Sequence, residues 1–131
     1  RSLYGAMNSE TSKLKSDASV FTITDGIVQY LLSEHLFDPK KFKEVVGEEE
    51  DSKVNLKSRP YSVDKMSVPD EFCEQIDNVV AEISRLGDLV DDCLFQNVTV
   101  FIDPIDGTRE FASGLGEQCS ICIGFSDASG K

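Results

Sequence analysis

The chain of 131 residues contains no Trp, one His and only 13 basic residues against 24 acidic ones. The net charge of −11 argues against DNA or RNA as a partner, because a nucleic acid backbone requires a basic face. A small phosphate substrate is compatible with this charge, since metal ions invert the local field. No apolar run approaches the ~20 residues that span a bilayer, and the first residues do not form a secretory signal. We therefore expect a cytoplasmic protein with neither nucleic acid nor membrane as its partner.

Cysteine is also scarce, and its placement argues against a zinc site. Of Cys73, Cys93, Cys119 and Cys122, only the last two have a C-x-x-C spacing. They lie in a strand-like run, where residues three apart point to opposite faces, so they are poorly placed to share a metal. With a single His in the chain, no other zinc set offers itself. We predict that the cysteines are small core residues.

The hydrophobic share of 40% and charged share of 28% are typical of a soluble globular domain with one core. Residues 1–14 are polar and expected to be frayed or to be the remnant of a longer helix. The Thr22–Asp25 segment has the form of a capping box and predicts a helix start. Periodicity and turn residues then predict, in chain order, a helix ending at Asp38, a strand over 42–46, a loop over 52–68, a helix from the Ser67–Asp70 segment to Gly87, a strand over 98–102, a short helix over 109–112 and a strand over 118–125.

The most informative segment is Asp103-Pro104-Ile105-Asp106-Gly107-Thr108, directly after the predicted strand over 98–102. Hard cations such as Mg²⁺ bind through one or two carboxylates together with substrate phosphate. A turn that opens a helix also presents free backbone N–H groups to an anion. The segment therefore predicts a metal site and a phosphate site side by side. A Pro/Gly turn with solvated aspartates is the alternative, because short motifs also occur by chance.

Further carboxylates stand at the boundaries of predicted elements, where a rigid scaffold presents site residues. They are Asp25 at the first helix and the pair Glu48 and Glu49 after the strand over 42–46. Separately, each has an ordinary explanation, as a helix cap or a solvated loop. Together with Asp103 and Asp106 they supply enough oxygen ligands for two or more Mg²⁺ ions, which can activate water and steady a leaving oxygen.

Other acid-rich sites fit the spacing less well. An EF-hand loop that began at Asp103 would have Ile105 at position 3 and Gly114 at position 12, so it fails. Phosphatases with an aspartyl-phosphate intermediate carry Asp-x-Asp-x-Thr, whereas two residues separate the aspartates here. A glycosidase pair leaves the Gly-Thr and the Glu-Glu unexplained. A Ser-His-Asp site would need His35, which lies among leucines in a predicted helix and is better explained as a surface or capping residue.

The three motifs, in this order, resemble the Mg²⁺-dependent, lithium-sensitive phosphatase superfamily, which includes inositol monophosphatase. They are Lys15-Ser-Asp-Ala-Ser…Thr22-Ile-Thr-Asp25, Gly47-Glu48-Glu49 and Asp103-Pro-Ile-Asp-Gly-Thr108. The resemblance implies an α+β fold with helices packed on an antiparallel sheet, as in the N-terminal domain of the inositol monophosphatase and fructose-1,6-bisphosphatase-like fold. Since members are about twice as long, it also implies that residues 1–131 are the metal-binding half of a larger enzyme whose C-terminal half is absent. The isolated chain should then bind Mg²⁺ weakly and have little activity.

The resemblance also implies a role for each site residue. Glu49, Asp103, Asp106 and the backbone carbonyl of Ile105 would bind two or three Mg²⁺ ions. Thr108 would help orient and deprotonate the attacking water, with Glu49 or Asp25 as its partner acid. Asp25 would act as a base or hold a further metal-bound water. Asp106 and the N–H groups of Gly107 and Thr108 would receive the substrate phosphate, and Glu48 would support a metal-bound water from behind. Water would attack the phosphomonoester directly, with no covalent enzyme intermediate.

Within the superfamily, Thr108-Arg109-Glu110-Phe111 is most similar to the 3′(2′),5′-bisphosphate nucleotidases. The expected reaction is removal of the 3′(2′)-phosphate from adenosine 3′(2′),5′-bisphosphate. The long stretch from Glu49 to Asp103 also fits the inositol polyphosphate 1-phosphatases, which form the first alternative. The second alternative is a non-catalytic acidic interaction domain.

Overall fold

The computed structural model describes residues 12–15, 20–49, 52–91 and 93–130. The expected α+β architecture is confirmed. The strands are β1 (Ser12–Leu14), β2 (Val20–Thr22), β3 (Glu44–Gly47), β4 (Val54–Asn55), β5 (Ser62–Val63), β6 (Met66–Ser67), β7 (Thr99–Asp106) and β8 (Ser120–Ser126). The α-helices are α1 (Ile23–Leu31), α2 (Cys73–Gly87) and α3 (Thr108–Ala112). A π-helical turn over Leu32–Leu36 and two 3₁₀ turns, Asp70–Phe72 and Gly116–Gln118, complete the described elements.

The main sheet has the order β3-β7-β8 and is mixed, because β3 is parallel to β7 whereas β8 is antiparallel to it. The three strands were predicted from the sequence to within a few residues at most ends. The exception is β7, which runs beyond its predicted end through the Asp103–Asp106 segment. Pairing with β8 continues there, with an irregularity between Asp103 and Asp106. The two aspartates therefore belong to a distorted strand end rather than to a free turn.

Helix α1 begins as the sequence predicts. Thr22 is its N-cap, and the capping box with Asp25 is present in both directions. The apolar face of α1 buries Ile23, Ile27 and Leu31 in a cluster shared with the small sheet, whereas Val28 packs against the cluster at the main sheet. After Leu31 the chain widens into the π-helical turn and leaves helical geometry before Asp38, as expected.

The structure contradicts the prediction for residues 52–68 and, in part, the prediction for residues 1–14. The predicted loop over 52–68 contains a small antiparallel sheet of order β4-β5-β6, whose two-residue strands are too short to give a periodic signal. Of the segment 1–14, expected to be frayed, residues 12–14 form β1 and pair with β2. Residues 1–11 of that segment lie outside the described residues.

Helix α2 ends at Gly87, where its stop was predicted, but it starts later than expected. Neither Ser67 nor Asp70 caps it, because a 3₁₀ turn over Asp70–Phe72 comes first and no side chain caps the helix. His35 faces this helix: its Nδ1 lies 2.8 Å from the Ser84 hydroxyl, so the residue is engaged in packing.

Two apolar clusters form the core. The larger one joins α1, α2 and the small sheet, and its best-buried members include Phe21, Ile23, Val63, Cys73 and Ile76. The smaller one lies between the π-helical turn and the main sheet and contains Leu32, Phe37, Phe42, Val100 and Ile102. Only Cys73 among the four cysteines is a core residue, so that prediction is wrong for the exposed Cys93 and Cys122 and for the half-buried Cys119.

Within the described ranges, every helix is too short or too polar to cross a membrane.

Candidate active site

Parallel pairing of β3 and β7 brings two of the predicted acidic segments together. Gly47 is paired with Ile102, and the Glu48 amide donates to the Ile102 carbonyl at 2.8 Å. The carboxyl ends of both strands therefore meet at one edge of the sheet, where Glu48 and Glu49 follow β3 and Asp103 lies on β7. The N-terminus of α1, which carries Asp25, and the start of α3, which carries Thr108, complete the site.

Asp25 is fully buried at the first turn of α1. One carboxylate oxygen accepts hydrogen bonds from the Thr22 amide, at 2.8 Å, and from the Thr22 hydroxyl. The other accepts from the Thr108 hydroxyl at 3.1 Å. Burial raises the pKa of Asp25, and these hydrogen bonds offset only part of that rise. A buried carboxylate with a raised pKa and a hydroxyl partner suits proton transfer.

Thr108 links Asp25 to the Asp103–Asp106 segment. Its hydroxyl lies 2.7 Å from the Ile105 carbonyl oxygen and 3.1 Å from the Asp25 carboxylate. Because a hydroxyl has one proton, it donates to one of these acceptors at a time and keeps lone pairs free to accept. The Ile105 carbonyl, which the resemblance assigns to a metal ion, therefore faces a hydroxyl on one side.

Gly107 makes the turn between β7 and α3 with φ of 90°, a left-handed conformation that favours Gly. Its carbonyl accepts a hydrogen bond from the Cys119 thiol at 3.1 Å, which fixes the turn against the start of β8. Helix α3 begins at Thr108 and has five residues. The phosphate-binding role of the Gly107 and Thr108 N–H groups stays a prediction.

Glu49 is buried, with 7% of its surface exposed, and forms an ion pair with Lys15 at 2.7 Å. Burial raises the pKa of Glu49, Lys15 opposes this rise, and the charge of Asp25 adds to it. Burial alone would lower the pKa of Lys15, but the hydrogen bond to Glu49 and the charges of Glu49, Glu48 and Asp25 outweigh it and raise that pKa. Lys15 thus supplies a cation among three site carboxylates.

Asp103 is half-buried, and its Oδ1 is enclosed without a hydrogen-bond partner among the described residues. Burial raises the pKa of Asp103, and the neighbouring Glu48 carboxylate and the charge of Asp106 raise it further. Glu48 was predicted to support a metal-bound water without binding the metal itself. In the structure it is the acid next to Asp103. Its Oε1 also lies 3.8 Å from the Lys15 ammonium.

This donor chemistry fits a divalent cation. An enclosed carboxylate oxygen without a partner, beside two further carboxylates, is costly unless a cation neutralises it. In the described part of the chain, however, no three His, Cys, Asp or Glu side chains are arranged closely enough to hold a metal ion. Glu49 instead faces Lys15, so its convergence with Asp103 and Asp106 on Mg²⁺ stays a prediction.

A polar cleft of about 290 Å³ opens beside these groups. Its lining combines Lys15 and Arg109 with Glu48, Glu110 and Thr108. Cationic and anionic side chains thus share one solvent-accessible wall, a composition that suits a phosphate group together with cations.

Sequence reasoning missed two residues of the site, Lys15 and Gln29. Lys15 was part of a recognised motif but was given no role. Gln29 binds the main chain of Glu49, with its Nε2 donating to the carbonyl at 2.5 Å and its Oε1 accepting from the amide at 2.9 Å. Its position four residues after Asp25, on the same helix face, is the signal that could have found it.

The model of the inositol monophosphatase family matches residues 2–131. No curated protein matches the chain. Since the family match spans nearly the whole sequence and includes every residue of the site, the chain belongs to the inositol monophosphatase family, whose members are Mg²⁺-dependent phosphatases.

Proposed function

We propose that this protein hydrolyses the 3′(2′)-phosphate of adenosine 3′(2′),5′-bisphosphate to give AMP and phosphate. The observation that carries the catalytic part is the position of the Thr108 hydroxyl between Asp25 and the Ile105 carbonyl, beside a cleft lined by charged groups. The similarity of Thr108-Arg109-Glu110-Phe111 to the nucleotidase branch supports the choice of substrate.

Thr108 and Asp25 carry out the proton transfer in this proposal. The Thr108 oxygen accepts a proton from the attacking water while its own proton passes to Asp25 Oδ1, 3.1 Å away. The buried Asp25 carboxylate suits this role because its raised pKa makes it a better proton acceptor than a solvated one. The water oxygen forms the new P–O bond, the P–O bond to the ribose breaks, and the ribose oxygen takes a proton from solvent.

The residues that would hold Mg²⁺ are Glu49, Asp103, Asp106 and the Ile105 carbonyl, with Glu48 close behind Asp103. Two or three bound ions would supply Lewis acidity, neutralise the phosphate charge and lower the pKa of water. Before an ion binds, Lys15 compensates the Glu49 charge, and the Asp103 carboxylate stands among like charges.

We propose further that residues 1–131 are the metal-binding half of a longer phosphatase. The resemblance places the last metal ligand and the specificity pocket in a C-terminal half. These 131 residues alone should therefore bind Mg²⁺ weakly and turn over little substrate. Robust hydrolysis by the isolated chain would contradict this division. A small phosphate substrate and a cytoplasmic location are parts of the same proposal.

The experiment measures phosphate release by the full-length protein from a panel of bisphosphate nucleotides and inositol phosphates. We expect Mg²⁺-dependent, lithium-inhibited hydrolysis of adenosine 3′,5′-bisphosphate, abolished by Asp106→Asn with the fold intact. A preference for inositol polyphosphates would move the protein to the 1-phosphatase branch. Near-normal turnover by Asp106→Asn would refute the metal assignment. No hydrolysis in the panel and no response to Mg²⁺ would favour a non-catalytic acidic domain.

A further inference from the structure

Gln29 of α1 holds the main chain of Glu49 by two hydrogen bonds, although 20 residues separate them. Its Nε2 donates to the Glu49 carbonyl at 2.5 Å, and the Glu49 amide donates to its Oε1 at 2.9 Å. Two parallel bonds to one peptide segment fix its orientation as well as its position. The backbone that carries the Glu49 carboxylate is therefore anchored to the helix, just beyond the end of β3.

The anchor connects two functional groups through a rigid element. Gln29 and Asp25 are four residues apart and lie on the same face of α1. One helical turn therefore fixes the buried Asp25 carboxylate and the Glu49 main chain relative to each other. The two acids are near enough that the charge of Asp25 raises the pKa of Glu49.

Gly47 leaves the space that the Gln29 amide occupies. A Cβ on Gly47 would lie 2.3 Å from Gln29 Cδ and 2.4 Å from its Oε1, closer than atoms can approach. The φ of Gly47 is not left-handed, so its lack of a side chain serves this close approach rather than a turn. The two hydrogen bonds to Glu49 and the lack of a side chain at Gly47 thus both place the Gln29 amide against the Glu49 main chain.

We propose that Gln29 is a positioning residue that sets the Glu49 carboxylate for a divalent cation, with Gly47 as its steric partner. The inference rests on the proposed function, because it assumes that Glu49 binds the metal. Without the amide anchor, the Glu49 segment is free to adopt several orientations, and a cation must then order it on binding. Losing a residue that orients a metal ligand costs about 10- to 100-fold in metal affinity.

The test measures Mn²⁺ binding to the full-length protein by electron paramagnetic resonance. Gln29→Ala and Gly47→Ala should each raise the Mn²⁺ Kd about 10-fold. The double variant should lose no more than either single variant, because both remove the same anchor. Gln75→Ala, the same change at an exposed position of α2, is the matched control and should leave the Kd unchanged. Gln29→Met, which keeps the side-chain length but not the hydrogen bonds, should bind as weakly as Gln29→Ala and guards against misfolding of the alanine variant.

Amide hydrogen exchange separates failure of the inference from failure of the proposed function. The Glu49 amide should exchange faster in Gln29→Met, with the urea midpoint and the exchange of the Phe21 amide little changed. If the full-length wild-type protein binds no Mn²⁺, the metal site and the role of Glu49 in the proposed function fail, and exchange alone decides whether Gln29 orders Glu49. If wild type and Gln29→Met bind Mn²⁺ equally, the positioning role is overturned while the metal site stands. Independent, multiplying losses in the double variant would also overturn it.

Discussion

The Thr108 hydroxyl lies 3.1 Å from a carboxylate oxygen of Asp25, and 83 residues separate the two along the chain. The second oxygen of Asp25 is held by Thr22, in the capping box that starts α1. The Asp25 carboxylate therefore takes part in the capping box of α1 and also contacts the Thr108 hydroxyl, which follows β7. Such a shared acid couples local folding to the geometry of the candidate site, because anything that shifts the first turn of α1 also moves the acceptor for Thr108.

The first prediction concerns this hydroxyl. In the full-length protein, Thr108→Val removes the proton relay to Asp25 while keeping a β-branched side chain of similar size. Since positioned proton transfer contributes about 10²- to 10⁴-fold, kcat should fall at least about 100-fold with little change in KM. Steady-state phosphate release measures both constants. Thr108→Ser restores the hydroxyl and should recover most of kcat; equal activity of the Val and Ser variants would exclude the relay.

The second prediction concerns Lys15, whose ammonium pairs with the buried Glu49. Lys15→Met leaves that carboxylate buried without its cation, so the chain should lose about 1–3 kcal/mol of unfolding free energy in chelator. Divalent cations should stabilise Lys15→Met more than wild type, because the cation then compensates an unpaired charge. Urea unfolding with and without Mg²⁺ measures both effects. The exposed pair of Arg85 with Glu82 provides the control, and Arg85→Met should change stability by well under 1 kcal/mol. An equal loss in both variants would contradict the special role of Lys15.

The third prediction concerns the loss of folding free energy caused by repulsion among Asp103, Glu48 and Asp106. Asp103→Asn removes a negative charge that stands beside Glu48 and Asp106 with one oxygen enclosed and unpartnered. The metal-free chain should therefore become more stable by roughly 1 kcal/mol at neutral pH, the Coulomb energy of two unit charges about 4 Å apart in water. The same change should weaken Mn²⁺ binding. A destabilised Asp103→Asn chain would mean that the hydrogen bond from the Ile105 backbone to the carboxylate outweighs the repulsion from Glu48 and Asp106.

Local signals in the sequence predicted much of this fold, because single short segments carry them. The Thr22–Asp25 capping box, the start of β7 at Thr99 to within one residue and the stop of α2 at Gly87 were all placed correctly. The small sheet was missed, since its two-residue strands are stabilised by α1 packing on Val63 rather than by their own periodicity.

The acids of the candidate site were predicted from the sequence. Which neighbour each acid contacts could not be predicted from it. Nothing in the residue order shows that Glu49 faces Lys15 while Glu48 stands beside Asp103. The neighbours of Glu48 and Glu49 depend on the parallel register of β3 against β7 and on the hydrogen bonds between Gln29 and Glu49. Both are contacts between distant segments, which composition and spacing do not encode.

The fourth prediction is a pH dependence that arises away from the site. Hydrogen bonds from Tyr61 and then from Arg59 lower the pKa of Asp77 below its usual value of 3.8. A carboxyl with a lowered folded pKa stabilises the fold above the unfolded pKa and loses that contribution as the pH falls through the folded pKa. The stability difference between wild type and Asp77→Asn should therefore be largest near neutral pH and shrink as the pH falls through 3.8 towards the lowered pKa of Asp77. Urea midpoints across this range measure it. Tyr61→Phe, which removes the first cause, should flatten the dependence, and an unchanged profile would contradict the assignment.

The fifth prediction tests the close approach of α1 to the small sheet. A Cβ on Gly26 would lie 2.4 Å from Val63 Cγ1 and 3.3 Å from the Phe21 ring, and both neighbours are fully buried. Ala is favoured over Gly in a helix by about 1 kcal/mol, yet Gly26→Ala should destabilise the chain by roughly 1–3 kcal/mol, because overpacking outweighs that gain.

The colliding atom at Gly26 belongs to a side chain, so the clash can be relieved. Val63→Ala removes Cγ1, and the Gly26→Ala/Val63→Ala double variant should be more stable than the sum of the two single losses predicts. Gly87 provides the contrast, because a Cβ there would lie 1.9 Å from the backbone oxygen of His35. No side-chain truncation can clear a backbone atom, so Gly87→Ala should resist such rescue. Urea unfolding of the four variants measures these stability differences. A Gly26→Ala chain more stable than wild type would show that α1 and the small sheet are not in contact at Gly26.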